Sequence, residues 1–208
     1  MPSIDVPVLS GSLVRLEPLT PGHVPGLRQA ATEDRDTYGF TMVPRPEDVA
    51  DYVATQLARE GLTPFAQIRI ADGRAVGCTG YWSLRTWPDS DKLFAIEVGF
   101  TWLAPSAQRT GINADAKLLL FGYAFEKLGV KRVDLKTDAR NVLSRRAIAA
   151  TGARFEGVLR NWSPSWAPGE DGMLRDSAVF SVTADEWPEV RSALTARVVR
   201  RTEPPADA

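Results

Sequence analysis

Hydrophobic and polar residues alternate most regularly between positions 94 and 103. A period of two places successive side chains on opposite faces of a strand. The two predicted faces hold Phe94, Ile96, Val98, Phe100 and Trp102 on one side, and Ala95, Glu97, Gly99 and Thr101 on the other. The pattern therefore predicts a long strand from Phe94 to Leu103.

A helical period follows this strand from about Ala114 to Leu128 and stops at Gly129, a typical residue for a helix end. Its apolar stripe has spacings of four and three, with Ala114, Leu118, Phe121, Phe125 and Leu128. Earlier in the chain, two apolar runs at 65–70 and 76–84 flank Asp72-Gly73 and predict a β-hairpin.

The remaining patterns complete an α/β (or α+β) fold with a mixed, mostly antiparallel sheet. Further strands are predicted at 13–16, 130–137, 153–159 and 177–182, and further helices after Thr20, from Pro46 to about Arg59, from Asn141 to Gly152 and from Asp185. This gives about seven strands and four to five helices. We expect a flexible start at 1–11, a single domain at 12–190, and a C-terminal extension with a loose tail at 191–208.

Charge and cysteine content exclude several classes of function. The formal net charge is -1, so a global electrostatic hold on nucleic acid or on an anionic membrane is not expected. The one cysteine, Cys78, cannot form an intrachain disulfide, and no metal site is expected. There is no basic, apolar leader and no apolar run of about 20 residues, so a cytoplasmic protein is expected.

The segment between the long strand and the helix carries the most informative chemistry. It reads Gln108-Arg109-Thr110-Gly111-Ile112-Asn113-Ala114. A helix start offers unpaired amides and a positive dipole, and Gly111 allows close approach of a ligand, which together suit a pyrophosphate. On spacing alone, a glycine-containing turn capped by Asn113 explains the segment better. The segment is neither a P-loop nor a dinucleotide fingerprint.

This loop resembles the Gln/Arg-x-x-Gly-x-Gly/Ala motif of the GCN5-related N-acetyltransferases, in which it binds the pyrophosphate of coenzyme A. Asn113 departs from the motif, as it does in the branch typified by the ribosomal-protein N-terminal acetyltransferases (RimJ and RimL). Similar segments are Glu97-Val98-Gly99-Phe100-Thr101-Trp102-Leu103, Gly111-Ile112-Asn113-Ala114-Asp115-Ala116-Lys117, Lys136-Thr137-Asp138, Asn141-x-x-Ser144, Gly152-Ala153, Glu156-Gly157-Val158-Leu159-Arg160, Arg175-Asp176 and Glu186-Trp187-Pro188. The resemblance covers roughly residues 12 to 190.

The resemblance implies an N-acetyltransferase with a V-shaped splay between two central strands. An acetyl or other small acyl group would pass from acyl-CoA to a primary amine of a protein, peptide or small molecule, by direct attack. The residues implied to bind acetyl-CoA or coenzyme A are Phe100, Thr101, Trp102, Gln108, Arg109, Thr110, Gly111, Ile112, Asn113, Ala114, Asn141 and Arg146. Arg146 is equally explained as a solvated helix residue.

Two residues are candidates for proton transfer. Glu97 lies in an apolar strand, where burial tends to raise the pKa of a carboxyl group, so it is the candidate base; a structural ion pair is the alternative. Ser144 is the candidate proton donor to the leaving thiolate, by resemblance to the same branch. Its alternative is a plain polar residue in the first turn of a helix that Asn141 caps.

Acceptor, partners and competing functions are less constrained. Acidic loops at 33–36, 89–91 and 170–171 favour a cationic amine if they share one mouth. The stretch Leu194 to Arg201 could reach a partner in a homodimer. The alternative functions are a non-catalytic acyl-CoA sensor or regulatory module, and an interaction domain without a ligand.

Overall fold

The computed structural model describes residues 4–202, and within that range eight strands form one sheet. The strands are β1 (Leu9–Ser10), β2 (Val14–Pro18), β3 (Thr63–Arg69), β4 (Ala75–Thr86), β5 (Leu93–Leu103), β6 (Arg132–Asp138), β7 (Arg154–Pro164) and β8 (Leu174–Thr183). Their order across the sheet is β1-β2-β3-β4-β5-β6-β8-β7. Every neighbouring pair is antiparallel except β5 and β6.

Helices cover both faces of this sheet. They are α1 (Val24–Ala31), α2 (Val49–Ala58), α3 (Ile112–Gly122), α4 (Val142–Ala149) and α5 (Trp187–Thr202). One apolar core joins α3 and α5 to the sheet, and a second core lies under α1 and α2 on the opposite face. None of these helices in residues 4–202 is both long enough and apolar enough to cross a bilayer.

The observed elements confirm the predicted fold class. The hairpin forms as β3 and β4, the long strand forms as β5, and a helix with the predicted apolar stripe follows it. The eighth strand is β1, a two-residue strand that pairs with β2 inside the stretch 1–11, where Val6 is also buried. At the other end, α5 runs continuously across position 190, and residues 203–208 lie outside the described range.

The two central parallel strands separate soon after they meet. β5 and β6 are in register only from Ala95–Glu97 on β5 to Arg132–Asp134 on β6. Beyond these three pairs each strand continues, β5 beside β4 and β6 beside β8. The sheet therefore opens between Gly99 and Leu103, as a V-shaped splay requires.

A bulge interrupts β5 at the point where the strands diverge. Gly99 pairs with Gly80 and Trp102 pairs with Cys78, so two β5 residues lie opposite the one residue Thr79. The first of the two, Phe100, has a φ of 51°. This extra residue reverses the alternation that the sequence predicts. Ile96 and Val98 remain in the first core, but Trp102 packs in the second.

Helix α3 begins two residues earlier than its apolar stripe predicts. Gly111 is its N-cap in a left-handed conformation, so Asn113 lies inside the first turn and does not cap the helix. Asp115, also in that turn, is buried and accepts hydrogen bonds from the amides of Leu13 (2.6 Å) and Val14 (3.1 Å). These bonds fix the start of α3 against β2. After Gly122 the chain continues as a short π-helical turn, Tyr123–Lys127.

Candidate functional site

A cleft of about 330 Å³ occupies the opening between β5 and β6. Its walls are the bulged half of β5, the outer half of β6, the first turns of α3 and α4, and the loop at 37–42. Concave sites of this size with a few converging polar groups are typical of small-molecule binding. The splay of the sheet thus creates a cleft that reaches into the sheet itself.

The start of α3 closes one end of this cleft with a loop suited to an anion. Gly111 has a φ of 98°, a conformation that glycine adopts without strain. A Cβ at this position would lie 2.8 Å from Leu13 Cδ1 and 3.0 Å from Arg201 Cγ. The adjacent Asn113 Oδ1 is buried and makes no hydrogen bond with any residue of the described range. The loop therefore combines a tight backbone with an unused acceptor atom, and the donors that suit an anion are the amides at the start of α3.

A second cavity, of about 480 Å³, lies on the outer side of the same loop. Four arginines line it, together with Gly111 and Asn113: Arg109, Arg197, Arg200 and Arg201. Three of these arginines come from α5, and none of the three is part of the predicted site. The combination of cationic side chains and a helix N-terminus suits a phosphorylated ligand.

The structure gathers most, but not all, of the predicted site residues. Those that line the main cleft are Phe100, Thr101, Trp102, Gln108, Arg109, Asn113, Asn141 and Ser144, while Gly111 and Ala114 line the second cavity. Four predicted residues line neither: Glu97, Thr110, Ile112 and Arg146. Thr110 donates a hydrogen bond to Ala107 O within the loop, Ile112 is buried in the core, and Arg146 is exposed on α4.

Glu97 is buried at the base of the splay. Its carboxylate forms an ion pair with Lys136 on β6, with an Oε2–Nζ distance of 2.9 Å. Burial raises the pKa of Glu97, and the charge of Lys136 opposes that rise without cancelling it. Both readings of Glu97, base and ion-pair partner, therefore have a physical basis, and only Lys136 of the two lines the cleft.

Asn141 and Ser144 lie together at the start of α4. Asn141 Oδ1 accepts a hydrogen bond from the backbone N of Ser144 at 2.9 Å, so the predicted N-cap is confirmed. Ser144 lies in the first turn, is half-buried, and lines the cleft. The cap holds the start of the helix at the cleft wall, where the hydroxyl of Ser144 can meet a ligand.

Lys117 is a functional candidate that the sequence patterns missed. Its side chain is 4% exposed and lines the cleft from α3. Nζ donates a hydrogen bond to Thr101 Oγ1 at 2.8 Å and has a longer contact, 3.5 Å, with Thr79 Oγ1. Burial lowers the pKa of Lys117 to about 7. A buried amine with hydroxyl partners thus lies directly behind the β5 bulge.

All charged side chains that line the cleft are basic: Arg109, Lys117, Lys136 and Arg175. None of the three acidic loops lines the cleft, so the condition under which they would favour a cationic amine is not met among the lining residues. Glu33 instead binds Ser106, through its backbone N and its hydroxyl, each at 2.8 Å, and Glu170 pairs with Arg140 at 2.7 Å. The turn at 89–91 lies at the opposite end of β5 from the cleft.

Other expectations for the site concern metals and partners. No cluster of three or more histidine, cysteine or acidic side chains within residues 4–202 could hold a metal ion. The stretch Leu194 to Arg201, predicted as a possible dimer contact, is part of α5, and its contact with a second copy stays a prediction. Leu194 and Val198 are buried in the core with α3, and Arg200 and Arg201 line the second cavity.

Comparison with known proteins identifies the family. The model of the acetyltransferase (GNAT) domain matches residues 14–154. Comparison with curated proteins gives no match.

Solved structures with the same fold cover nearly the whole chain. A GCN5-related N-acetyltransferase from Brucella melitensis has 29% identity and a TM-score of 0.79, covering 94% of this chain and 86% of its own. A candidate acetyltransferase from T. thermophilus has 32% identity and a TM-score of 0.77, covering 95% and 100%. RimJ from Mycobacterium smegmatis, solved in complex with CoA-disulfide, has 21% identity and a TM-score of 0.69, covering 91% and 90%, which extends the likeness of fold. The chain belongs to the GNAT acetyltransferase family and is an N-acetyltransferase.

Proposed function

We propose that the protein transfers an acetyl or other small acyl group from coenzyme A to a primary amine by direct attack. The observation that carries this proposal is the cleft between β5 and β6, which joins a left-handed Gly111 loop to a bulged strand. A thioester and an amine held side by side in such a cleft gain several kcal/mol from orientation alone, about 7–11 kcal/mol in favourable cases.

The donor would lie along the cleft with its phosphates at the start of α3. There the amides of the first turn of α3, which follows the left-handed Gly111, would donate to the phosphate oxygens. Arg109 lines both cavities and is placed to bind the diphosphate, while Arg200 and Arg201 approach from α5. Asn113 lines both cavities, and the N–H groups of its side-chain amide can donate to a phosphate oxygen.

Glu97 is the group we assign to proton removal from the attacking amine. Burial raises the pKa of Glu97, which makes the carboxylate a stronger base, and the charge of Lys136 opposes that rise and favours the ionised form that accepts a proton. Because Glu97 does not line the cleft whereas Lys136 does, we expect the proton to reach Glu97 through a water molecule.

The bulge of β5 and the start of α4 supply the remaining requirements. Phe100 and Thr101 have no register partner on β4, so their amides are our candidates for stabilising negative charge on the thioester oxygen. The Ser144 hydroxyl is our candidate donor of a proton to the departing sulfur, since it lines the cleft and makes no hydrogen bond to a described residue.

Two measurements on the native protein test this function. Calorimetry should detect binding of coenzyme A, and release of free thiol from acetyl-CoA should require an added amine. Binding without thiol release across a broad panel of amines would instead favour a non-catalytic acyl-CoA sensor. Absence of any binding to folded protein would contradict both.

A further inference from the structure

An aromatic wall lies beside the bulge of β5, on the side of the cleft away from the Gly111 loop. We call Trp82, Phe100 and Trp166 the aromatic wall. The Phe100 ring centroid is 5.5 Å from that of Trp82 and 6.0 Å from that of Trp166. Phe100 and Trp166 both line the cleft. The wall therefore offers an apolar surface where an acceptor would approach the acyl group.

Arg175 stands against this wall. Its guanidinium lies 4.8 Å from the centroid of the Trp166 ring, and its Nε donates a hydrogen bond to Ser163 Oγ at 3.0 Å. Both contacts fix the plane of the guanidinium and leave the terminal nitrogens for a ligand, because a guanidinium presents five donors in a rigid fork. No carboxylate of residues 4–202 forms an ion pair with it.

The carboxylates in its neighbourhood are already engaged. Asp138 and Glu170 both bind Arg140, at 2.8 Å and 2.7 Å, and Glu97 binds Lys136. Burial lowers the pKa of Arg175 despite the nearby charges of Asp138 and Glu97, so these acids do not compensate the cost of its desolvation.

A second arginine, Arg59, also lies against the aromatic wall. The Arg59 guanidinium lies 5.3 Å from the centroid of Phe100 and 5.8 Å from that of Trp82. Its Nε is buried and forms no hydrogen bond with the described residues. Two cations without a carboxylate partner in the described chain thus flank one apolar surface.

We propose that the acceptor is an amine that also carries a carboxylate, which Arg175 binds while the apolar part of the acceptor packs on the aromatic wall. This inference rests on the proposed function, since it names the class of acceptor. It is the opposite of the cationic acceptor that the acidic loops predicted. An amino acid, or a peptide end with a carboxylate close to its amine, has the required chemistry.

The experiment compares matched pairs of acceptors that differ only at the carboxylate. Phenylalanine and phenylalaninamide form one pair, and glutamate α-amide and glutamine α-amide form another. Thiol release from acetyl-CoA gives kcat/KM, expressed per concentration of neutral amine so that the differing amine pKa values cancel. The native enzyme should prefer the carboxylate-bearing member by about tenfold or more, the scale of one charge-assisted hydrogen-bonded contact.

Two variants locate the source of the preference. Arg175→Gln should remove it, mainly by raising KM for the carboxylate-bearing acceptor. Arg160→Gln removes the same charge from an exposed β7 position outside the cleft, so it should leave the preference intact. Calorimetry with coenzyme A and thermal melting show whether each variant remains folded.

The outcomes separate the two proposals. Thiol release with no preference for the carboxylate, or a preference that survives in folded Arg175→Gln, would overturn the carboxylate assignment and leave acyl transfer standing. Thiol release with other amines of the broad panel but with neither pair would also overturn the carboxylate assignment alone. Binding of coenzyme A without thiol release from any amine of the panel would overturn the proposed function, and the acceptor class with it.

Discussion

Lys117 donates a hydrogen bond to Thr101 at 2.8 Å and thereby ties helix α3 to the residue that follows the bulge of β5. The bond links the element that begins at the phosphate loop to the strand that would face the thioester. Its donor is a buried amine whose pKa burial lowers to about 7. This contact therefore links the pH dependence of stability to the shape of the cleft.

Replacing Lys117 by methionine should stabilise the protein, most strongly at low pH. The unfolded pKa is 10.5 and the folded value about 7, so below about pH 7 both states hold the proton and the native state carries the full cost of a buried charge. Between the two values only the unfolded chain keeps the proton, so native stability rises with pH. At about 1.4 kcal/mol for each pKa unit, less about 1 kcal/mol for lost hydrogen bonding, Lys117→Met should gain about 2–4 kcal/mol at pH 6.5.

Urea unfolding at pH 6.5 and pH 9.5 checks this, since the advantage should shrink at the higher pH. Lys127→Met, at an exposed position after the same helix, is the control and should change stability little at either pH. A Lys117→Met effect that is equal at both pH values would contradict the assigned burial cost.

Replacing Glu97 by glutamine should lower kcat by about 100-fold or more if the carboxylate is the base. Burial raises the pKa of Glu97, so activity should rise with pH through that value as the carboxylate ionises. Lys136→Met should move this rise to higher pH, because it removes the cation that opposes the burial effect. The pH dependence of kcat/KM measures both effects.

Glu189→Gln, on the exposed face of α5, serves as the control for Glu97 and should keep native kinetics. If Glu97→Gln retained native kcat while losing stability, Glu97 would be a structural ion-pair partner only.

An alanine at Gly111 should weaken coenzyme A binding beyond what backbone strain explains. The left-handed φ of 98° costs an L-residue about 1 kcal/mol, and the new Cβ would also meet Leu13 and Arg201. Gly129→Ala is the matched control, because Gly129 also has a left-handed φ, of 66°, but a Cβ at this position would have no neighbouring atom within 4 Å. Both variants should lose stability in melting experiments, and only Gly111→Ala should lose affinity by calorimetry. Equal affinities would remove the phosphate role from this loop.

Replacing Asp115 by alanine should destabilise the fold by about 2–4 kcal/mol, because it leaves one buried and one partly buried amide without an acceptor. Those amides belong to Leu13 and Val14, so the variant should also loosen β2 from the start of α3. Hydrogen exchange at the two amides, with urea unfolding, measures the change. Asp171→Ala, at an exposed loop position, should alter neither, and unchanged exchange in Asp115→Ala would show that the carboxylate is not the anchor.

Local periodicity was enough to predict the main elements of the fold. The hairpin, the long strand and the capped helix at Asn141 depend on patterns within about ten residues, where turn residues and apolar spacing carry most of the information. The bulge at Phe100 was not predictable in this way, because the apolar alternation continues through it without a break. Its cause is the pairing with β4, which a single strand does not reveal.

The missed cleft residues have two different explanations. Lys117 lies three residues after Ala114 and four before Phe121, so the helical spacing places it on the buried stripe. It was missed because a charged residue is normally assigned to the exposed face of a helix. The arginines of α5 reach the Gly111 loop only because the chain returns over α3, about 90 residues later, and no local pattern encodes that approach. Arg175 likewise becomes a candidate for ligand binding only through its contact with Trp166 across the β7–β8 hairpin, which no local pattern encodes.

β5 and β6 pair over only three residues, so the cleft of the enzyme lies at a break in the hydrogen bonding of its own sheet. Two backbone edges face each other in the middle of a sheet and are kept from closing, so the protein forgoes ladder bonds that an ordinary parallel pair would make. A sequence change that let β5 and β6 pair along their full length would raise the stability of the fold and would close the space that the substrates need. Selection for stability and selection for activity therefore act in opposite directions on the residues at the opening between β5 and β6.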